Sequence, residues 1–316
     1  MSQRITRLAP SPTGALHLGN ARTFLVNWLM ARQAGWRIIM RIEDLDTPRT
    51  KTWATKAALE DLEWLGVDWD GDIVYQSDRT EIYNDALNEL IRRDLAYPCV
   101  CSRKDVETAA SAPHAEDAMV CYPGTCRGKY RAAEHAVETT NRPVAYRVVT
   151  DGKTVRVHDQ FAGDFEYEFS RIGGDFVVFR KSGLAAYQLA VTVDDAEAGV
   201  NAIVRGDDLL DSAARQIHLR HLLGLTPEVE YWHLPLVIGE DGRRLAKRHG
   251  DTRLSYYREH GTPIERIWGL LGFWSGAIDR RRPAGIQELL DKFRPDRMPK
   301  GPAVFTAEDD QFLLND

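Results

Sequence analysis

The chain has 316 residues, 43% of them hydrophobic, and a formal net charge of −6, enough for two or three compact units with buried cores. The acidic balance excludes a uniformly basic nucleic-acid coat but leaves local basic patches, Arg243 to Arg253 and Lys292 to Lys300 among them. No run of eighteen apolar residues occurs and no basic segment leads into an apolar one at the N-terminus, so a cytoplasmic chain with neither membrane span nor secretory signal is expected.

In chain order, Ile5 to Ala9 is an apolar, strand-like run, Pro10 to Gly14 is turn-rich, and Leu16 to Ala34 repeats apolar residues at helical spacing until Gly35. In such a strand, loop and helix, free N–H groups and the positive end of the helix dipole form a seat for phosphate. His17 lies within reach of that seat. A second strand, Trp36 to Ile42, ends at Glu43 and Asp44, which puts two carboxylates at the carboxyl edge of a parallel sheet, where open α/β folds bind ligands. Ala54 to Leu65 and Arg79 to Arg93 read as further helices.

From about residue 97 to 170 the character changes. All four cysteines fall here, as Cys99-Val100-Cys101 and Cys121-Tyr122-Pro123-Gly124-Thr125-Cys126, with an Ala-rich loop from Thr108 to Ala118 between them. Where thiols stay reduced, this clustering favours a metal over disulfides, and zinc suits a cage of soft thiolates. On chemistry alone all four cysteines are candidate ligands. Strand-like runs follow at Val144 to Val149 and Thr154 to Asp159.

Helix and parallel-strand patterns return with Tyr187 to Val193 and Asn201 to Val204, then a helix from Leu209 to Leu223. A strand-like His233 to Ile238 leads to the Asp241-Gly242 turn. Thr262-Pro263-Ile264-Glu265 has capping-box form and opens a helix whose apolar face carries Ile267, Trp268, Leu271 and Trp274.

The string from Arg7 to Arg22, containing His17-Leu18-Gly19-Asn20, and the later Arg41-Ile42-Glu43-Asp44 together resemble the first signature of class I aminoacyl-tRNA synthetases. The likeness is to the glutamyl branch, where Arg-Phe-Ala-Pro-Ser-Pro-Thr-Gly precedes the signature and Arg-Ile-Glu-Asp follows it. Leu8, Leu18 and Asn20 depart from the usual form, and Asn20 keeps a hydrogen-bond donor where the second histidine usually stands. Arg244-Leu245-Ala246-Lys247-Arg248 resembles the second signature, Lys-Met-Ser-Lys-Ser, with Ala246 in place of serine. The resemblance covers about residues 4 to 275.

It implies an α/β fold: a Rossmann-like doubly wound parallel sheet interrupted by an inserted zinc-containing α+β domain, with a short helical C-terminal segment. The boundaries implied are 1–96 and 176–240 for the two halves of the catalytic domain, 97–175 for the insertion, and 241–316 for the signature loop and C-terminal segment. It also implies ATP-dependent conversion of L-glutamate to glutamyl-adenylate. Arg7, Ser11, Glu43, Tyr187 and Arg205 would bind glutamate, and His17, Gly19, Asn20, Leu245 and Lys247 would bind ATP. His17, Asn20 and Lys247, with Mg²⁺, would stabilise transition-state charge; no protein nucleophile is needed.

Members of this branch that glutamylate the queuosine base at the wobble position of tRNA(Asp) carry Cys-x-Cys followed by Tyr-x-x-x-Cys, with Zn²⁺ on three cysteines and the tyrosine. That pattern falls on Cys99, Cys101, Tyr122 and Cys126, with Cys121 as an extra thiol. The segment after Lys247 is short for a separate anticodon-reading domain of roughly 100 residues. A monomeric catalytic core is therefore expected, one that activates glutamate without tRNA and passes it to queuosine. A small glutamyl-tRNA synthetase charging a 3′ end and a non-catalytic paralogue are the alternatives.

Overall fold

The computed structural model describes residues 3–12, 14–45, 52–110, 120–245 and 250–314. The N-terminal elements are β1 (Ile5–Leu8), α1 (Leu18–Ala34), β2 (Arg37–Ile42), α2 (Thr52–Trp64), β3 (Ile73–Tyr75) and α3 (Thr80–Arg92). Then come β4 (Ala96–Cys99), α4 (Arg103–Ala110), α5 (Ala133–Thr140), β5 (Ala145–Val148), β6 (Thr154–Asp159), β7 (Gly163–Glu168) and β8 (Val177–Phe179). The chain continues through α6 (Tyr187–Glu197), β9 (Ala202–Gly206), α7 (Leu210–Leu223), β10 (Glu230–Leu234) and β11 (Val237–Gly239). It closes with α8 (Leu254–Glu259), α9 (Ile264–Trp274), α10 (Ile286–Lys292), β12 (Ala303–Phe305) and α11 (Ala307–Leu314).

β1, β2 and β3 form a parallel sheet with Ile5 opposite Arg37 and Met40 opposite Ile73. The sheet is parallel because α1 carries the chain back across it. Thr6, Arg7 and Leu8 are buried, as is β2 from Ile38 to Ile42, the pattern of strands covered on both faces. Gly35 ends α1 at φ +68°, a left-handed conformation that glycine adopts without a Cβ clash.

A second sheet runs β7-β6-β10-β9, with β6, β10 and β9 parallel and β7 antiparallel to β6. The two sheets meet where Asn201 N donates to Ile5 O (3.1 Å) and Ile5 N donates to Asn201 Oδ1 (2.8 Å). β1 and β9 thus lie side by side, and their carboxyl ends frame one crevice, the usual ligand position in a Rossmann-like fold. A third, antiparallel sheet of β4, β5 and β8 carries the first cysteine.

Three local expectations change. The strand-like run from His233 breaks at Pro235, which has no N–H to give a ladder, and β11 pairs instead with β12. The C-terminal part is therefore not helical throughout. At α9 the capping box does not form: Pro263 precedes the first turn with no side-chain cap, and the buried Thr262 hydroxyl has no partner among the described residues. The box forms on α1, where Gly19 N donates to His17 Nδ1 (3.1 Å) and His17 N donates to Asn20 Oδ1 (3.4 Å). No helix among the described residues is long and apolar enough to cross a membrane.

Candidate active site and thiol cluster

A cavity of about 540 Å³ occupies the crevice, and its walls include Arg7, Ser11, His17, Gly19, Asn20, Glu43, Tyr187 and Arg205. These residues come from the ends of β1, β2 and β9 and the first turns of α1 and α6. Of the remaining expected residues, Leu245 is buried in the core with its N–H on Val237 O (3.3 Å). Ala246 and Lys247 lie outside the described residues.

His17 caps α1, and its Nδ1 already accepts a hydrogen bond, so the ring proton sits on Nε2. Burial, reinforced by the Arg244 charge and opposed by Asp208, lowers its pKa to about 4. At neutral pH His17 is an uncharged donor at the amino end of α1, where Leu18 N already donates to Thr252 O (2.9 Å) and Gly19 N to His17 Nδ1. Gly19 permits this packing, because a Cβ there would stand 3.0 Å from the His17 ring.

Glu43 Oε2 accepts from Ser11 Oγ (3.1 Å), and Oε1 pairs with Arg41 Nη2 (3.2 Å). Both oxygens are oriented before any ligand arrives. Asp44 does not share that role; its oxygens accept from Ser77 N (2.8 Å) and Ser77 Oγ (2.7 Å), which fixes the turn ahead of α3. Arg41, absent from the expected site, stands behind the cavity on Asp195 Oδ1 (2.5 Å). The signal for it was the two-residue period of β2, which puts Arg41 and Glu43 on one face. Arg244 and Asp208 also line the cavity and pair with each other at 2.5 Å.

Arg7 is buried; Nη1 donates to Val204 O (3.3 Å), and Nε lies 3.7 Å from Asp195. Burial, with the nearby Arg41 and Arg205 charges, lowers its pKa against the pull of Asp195. Arg205 donates to His233 Nε2 (2.9 Å), Gln216 Oε1 (2.9 Å) and Leu209 O (3.3 Å). Among the described residues it has no carboxylate partner. A buried guanidinium held only by neutral acceptors is a seat for an anion, and its planar fork matches a carboxylate.

The thiols of Cys99, Cys101 and Cys126 lie within 4.8 Å of one another, and none is in a disulfide. Cys101 Sγ is 3.4 Å from Cys126 Sγ, and Tyr122 Oη is 3.4 Å from Cys99 Sγ and 3.9 Å from Cys101 Sγ. Burial and the neighbouring thiols push Cys101 up to about 12. Crowded soft donors of this kind can hold a metal ion, which would favour the thiolates. Cys121 stands apart, its Sγ 3.9 Å from Tyr122 O, and does not join the group.

Residues 4–308 match the family described as class I tRNA synthetases (E and Q), catalytic domain. A glutamyl-Q tRNA(Asp) synthetase of Rhodopirellula baltica is 46% identical, over 96% of this chain and 97% of its own. A glutamate–tRNA ligase of Dichelobacter nodosus is 36% identical over 96% of this chain, which spans 64% of that protein. The solved glutamate–tRNA synthetase of Elizabethkingia anophelis superposes with a TM-score of 0.82 at 26% identity, covering 99% of this chain and 70% of that one. The cavity at the junction of two parallel sheets, walled by the first signature, thus has a family to account for it: this chain belongs to the class I tRNA synthetases of the glutamate and glutamine type and is a ligase.

Proposed function

We propose that the chain converts L-glutamate and ATP to glutamyl-adenylate and pyrophosphate without help from tRNA, then transfers the glutamyl group to the queuosine base at the wobble position of tRNA(Asp). The observation that carries the reading is the pairing, around one cavity, of Arg205, which has no carboxylate partner among the described residues, with the pre-oriented Glu43, beside the amino end of α1. Arg205 and Arg7 take the two ends of an acidic amino acid that carry negative charge, Glu43 and Ser11 take its ammonium group, and Tyr187 closes the wall. The glutamate α-carboxylate attacks the α-phosphorus of ATP, forming the mixed anhydride as the bond to pyrophosphate breaks. His17 Nε2–H, Asn20 and the positive end of the α1 dipole, which a ligand can approach closely at Gly19, offset charge on the phosphates, and Lys247 neutralises the triphosphate as pyrophosphate leaves.

Mg²⁺ would neutralise phosphate charge during this step. Cys99, Cys101, Cys126 and Tyr122 would hold one structural zinc ion; the three clustered thiols support this, and the phenol beside them supports tyrosine over Cys121 as fourth ligand. On this reading residues 97–175 are the zinc-bearing insertion in a doubly wound sheet whose halves are 1–96 and 176–240, with 241–316 supplying the signature loop and the C-terminal segment. Support for queuosine as acceptor comes from relatives named glutamyl-Q tRNA(Asp) synthetase, matched along nearly their whole length at 46% and 44% identity.

The test is glutamate-dependent ATP–pyrophosphate exchange with and without tRNA, followed by transfer of labelled glutamate to queuosine-containing tRNA(Asp). Exchange without tRNA and labelling only of queuosine-bearing tRNA are expected. Exchange that needs tRNA, with ester formation at a 3′ end, would replace this reading with that of a charging enzyme.

A further inference from the structure

Behind Arg205 lies a buried chain of three side chains from three adjacent strands. The register of β9 and β10 sets His233 opposite Arg205, and β6 joins β10 where Asp159 meets Tyr231. Asp159 Oδ2 is 2.6 Å from His233 Nδ1, and His233 Nε2 is 2.9 Å from Arg205 Nε; all three residues are at most 4% exposed.

The protons in this chain have one consistent placement. Asp159 accepts from Phe161 N (2.9 Å), Ala162 N (2.6 Å) and His233 N (3.0 Å). Although burial works the other way, these bonds and His233 hold its carboxyl below the usual range. An ionised carboxylate has nothing to donate, so His233 must donate from Nδ1 and accept at Nε2. Arg205 Nε–H requires that acceptor. Burial and then the Arg205 charge lower the His233 pKa against the pull of Asp159, so the ring stays neutral and Arg205 keeps its charge uncompensated. The second acceptor is oriented in the same way: Gln216 Nε2 donates to Gln188 Oε1 (3.1 Å), which turns Gln216 Oε1 toward Arg205. The Tyr231 ring stacks on His233 at 5.8 Å and lies 5.5 Å from the Arg205 guanidinium carbon.

We infer that Asp159 and His233 are positioning residues for the amino-acid site: by locking His233 in the tautomer whose Nε2 accepts, they aim a fully charged Arg205 into the cavity and make the site select a side-chain carboxylate over its amide. This rests on the glutamate site proposed above and assigns Arg205, of its two arginines, to the side-chain carboxylate. Its chemical consequence is specific. Asp159→Asn preserves shape; keeping the two bonds that Phe161 N and Ala162 N make to Oδ1 leaves the amide nitrogen in the Oδ2 place, where it offers an N–H to His233 Nδ1 and moves the ring proton to Nε2. Two donors then face each other, and Nε2–H turns to Leu209 O, the acceptor Arg205 Nη2 now uses. Arg205 loses two of its three anchors, and with them its aim.

The experiment has two parts. In the wild-type protein, long-range ¹H–¹⁵N correlation should find His233 protonated on Nδ1 alone; protonation on Nε2 would overturn the inference, whatever any variant does. Pyrophosphate exchange with glutamate and with glutamine should then show that Asp159→Asn raises KM for glutamate by about tenfold or more, the scale of hydrogen bonds to a charged group. The preference over glutamine should shrink, with kcat little changed. Adding His233→Gln to Asp159→Asn should recover most of the loss, because the introduced glutamine amide can rotate to present its oxygen to Arg205 whichever group the neighbouring asparagine shows it. A folded Asp159→Asn protein with unchanged KM and unchanged preference, or a double variant no better than the single, would overturn the inference while leaving glutamate activation standing. Wild-type protein that shows no glutamate-dependent exchange would overturn both.

Discussion

Arg41 Nη1 lies 2.5 Å from Asp195 Oδ1 behind the cavity, with 3% and 2% of the two residues exposed. Asp195 also faces Arg7, and Arg41 also pairs with Glu43. One carboxylate therefore supports a member of each set of groups proposed to hold the amino acid. Its neighbour Asp194 serves the scaffold, accepting from Gln76, Arg79 and Tyr83 at 2.7 to 2.9 Å.

Asp195→Ala should leave two buried guanidiniums short of a counter-charge. Removing one partner from a buried pair costs about 3–5 kcal/mol, so a loss on that scale is expected in urea unfolding. The surviving folded protein should show a raised KM for glutamate. Unchanged stability and KM would mean that Glu43 and Asp194 suffice to neutralise Arg41.

His17 should titrate near 4, well below the ordinary histidine value, because of its burial and the Arg244 charge. Between pH 6.5 and about 4 the unfolded chain binds a proton that the folded chain refuses, so this group removes stability as pH falls through that window, and the loss levels off below it. Activation should accordingly show no ionisation of His17 around pH 6.5. An NMR titration of the His17 ring reads this directly; a midpoint near the ordinary value of 6.5 would contradict the geometry.

For the thiol cluster, one equivalent of zinc per chain is expected by elemental analysis. Cys126→Ser and Cys101→Ser should lose it, with unfolding at lower temperature. Cys121→Ser should retain the full equivalent, since that thiol stands outside the group. Loss of zinc in the Cys121 variant would restore the four-cysteine cage.

Lys247→Ala should slow adenylate formation by roughly a hundredfold, on the scale of removing one group that stabilises transition-state charge. Glutamate binding measured by calorimetry should stay nearly intact. An undiminished exchange rate would take Lys247 out of the mechanism.

Local pattern was sufficient wherever neighbours in the chain are neighbours in space. The strand, tight loop and helix around His17 could be read because cap, glycine and helix start lie within four positions, and Cys-x-Cys was legible as a pair of thiols able to share a metal for the same reason. Arg205 was expected only through the family resemblance, and the structure sets it in the cavity wall. Leu245 shows the limit: it belongs to a contiguous signature, yet its side chain lies in the core, with its backbone held on Val237 of β11.

What stayed hidden depends on strand register and on burial, which no window of sequence contains. Asp195 meets Arg41 across 154 positions and Asp159 meets His233 across 74; each is an ordinary charged residue until the sheets bring it to its partner and exclude water. The capping-box letters at Thr262 were present but unused, while α1 built its box from histidine and asparagine, because the packing at each helix start decides which side chain can turn back to the backbone. Residue types and short spacings thus specified the chemistry of this chain. Folding chose which of those groups would be aimed, neutralised or buried, since charge and tautomer are set by neighbours in three dimensions.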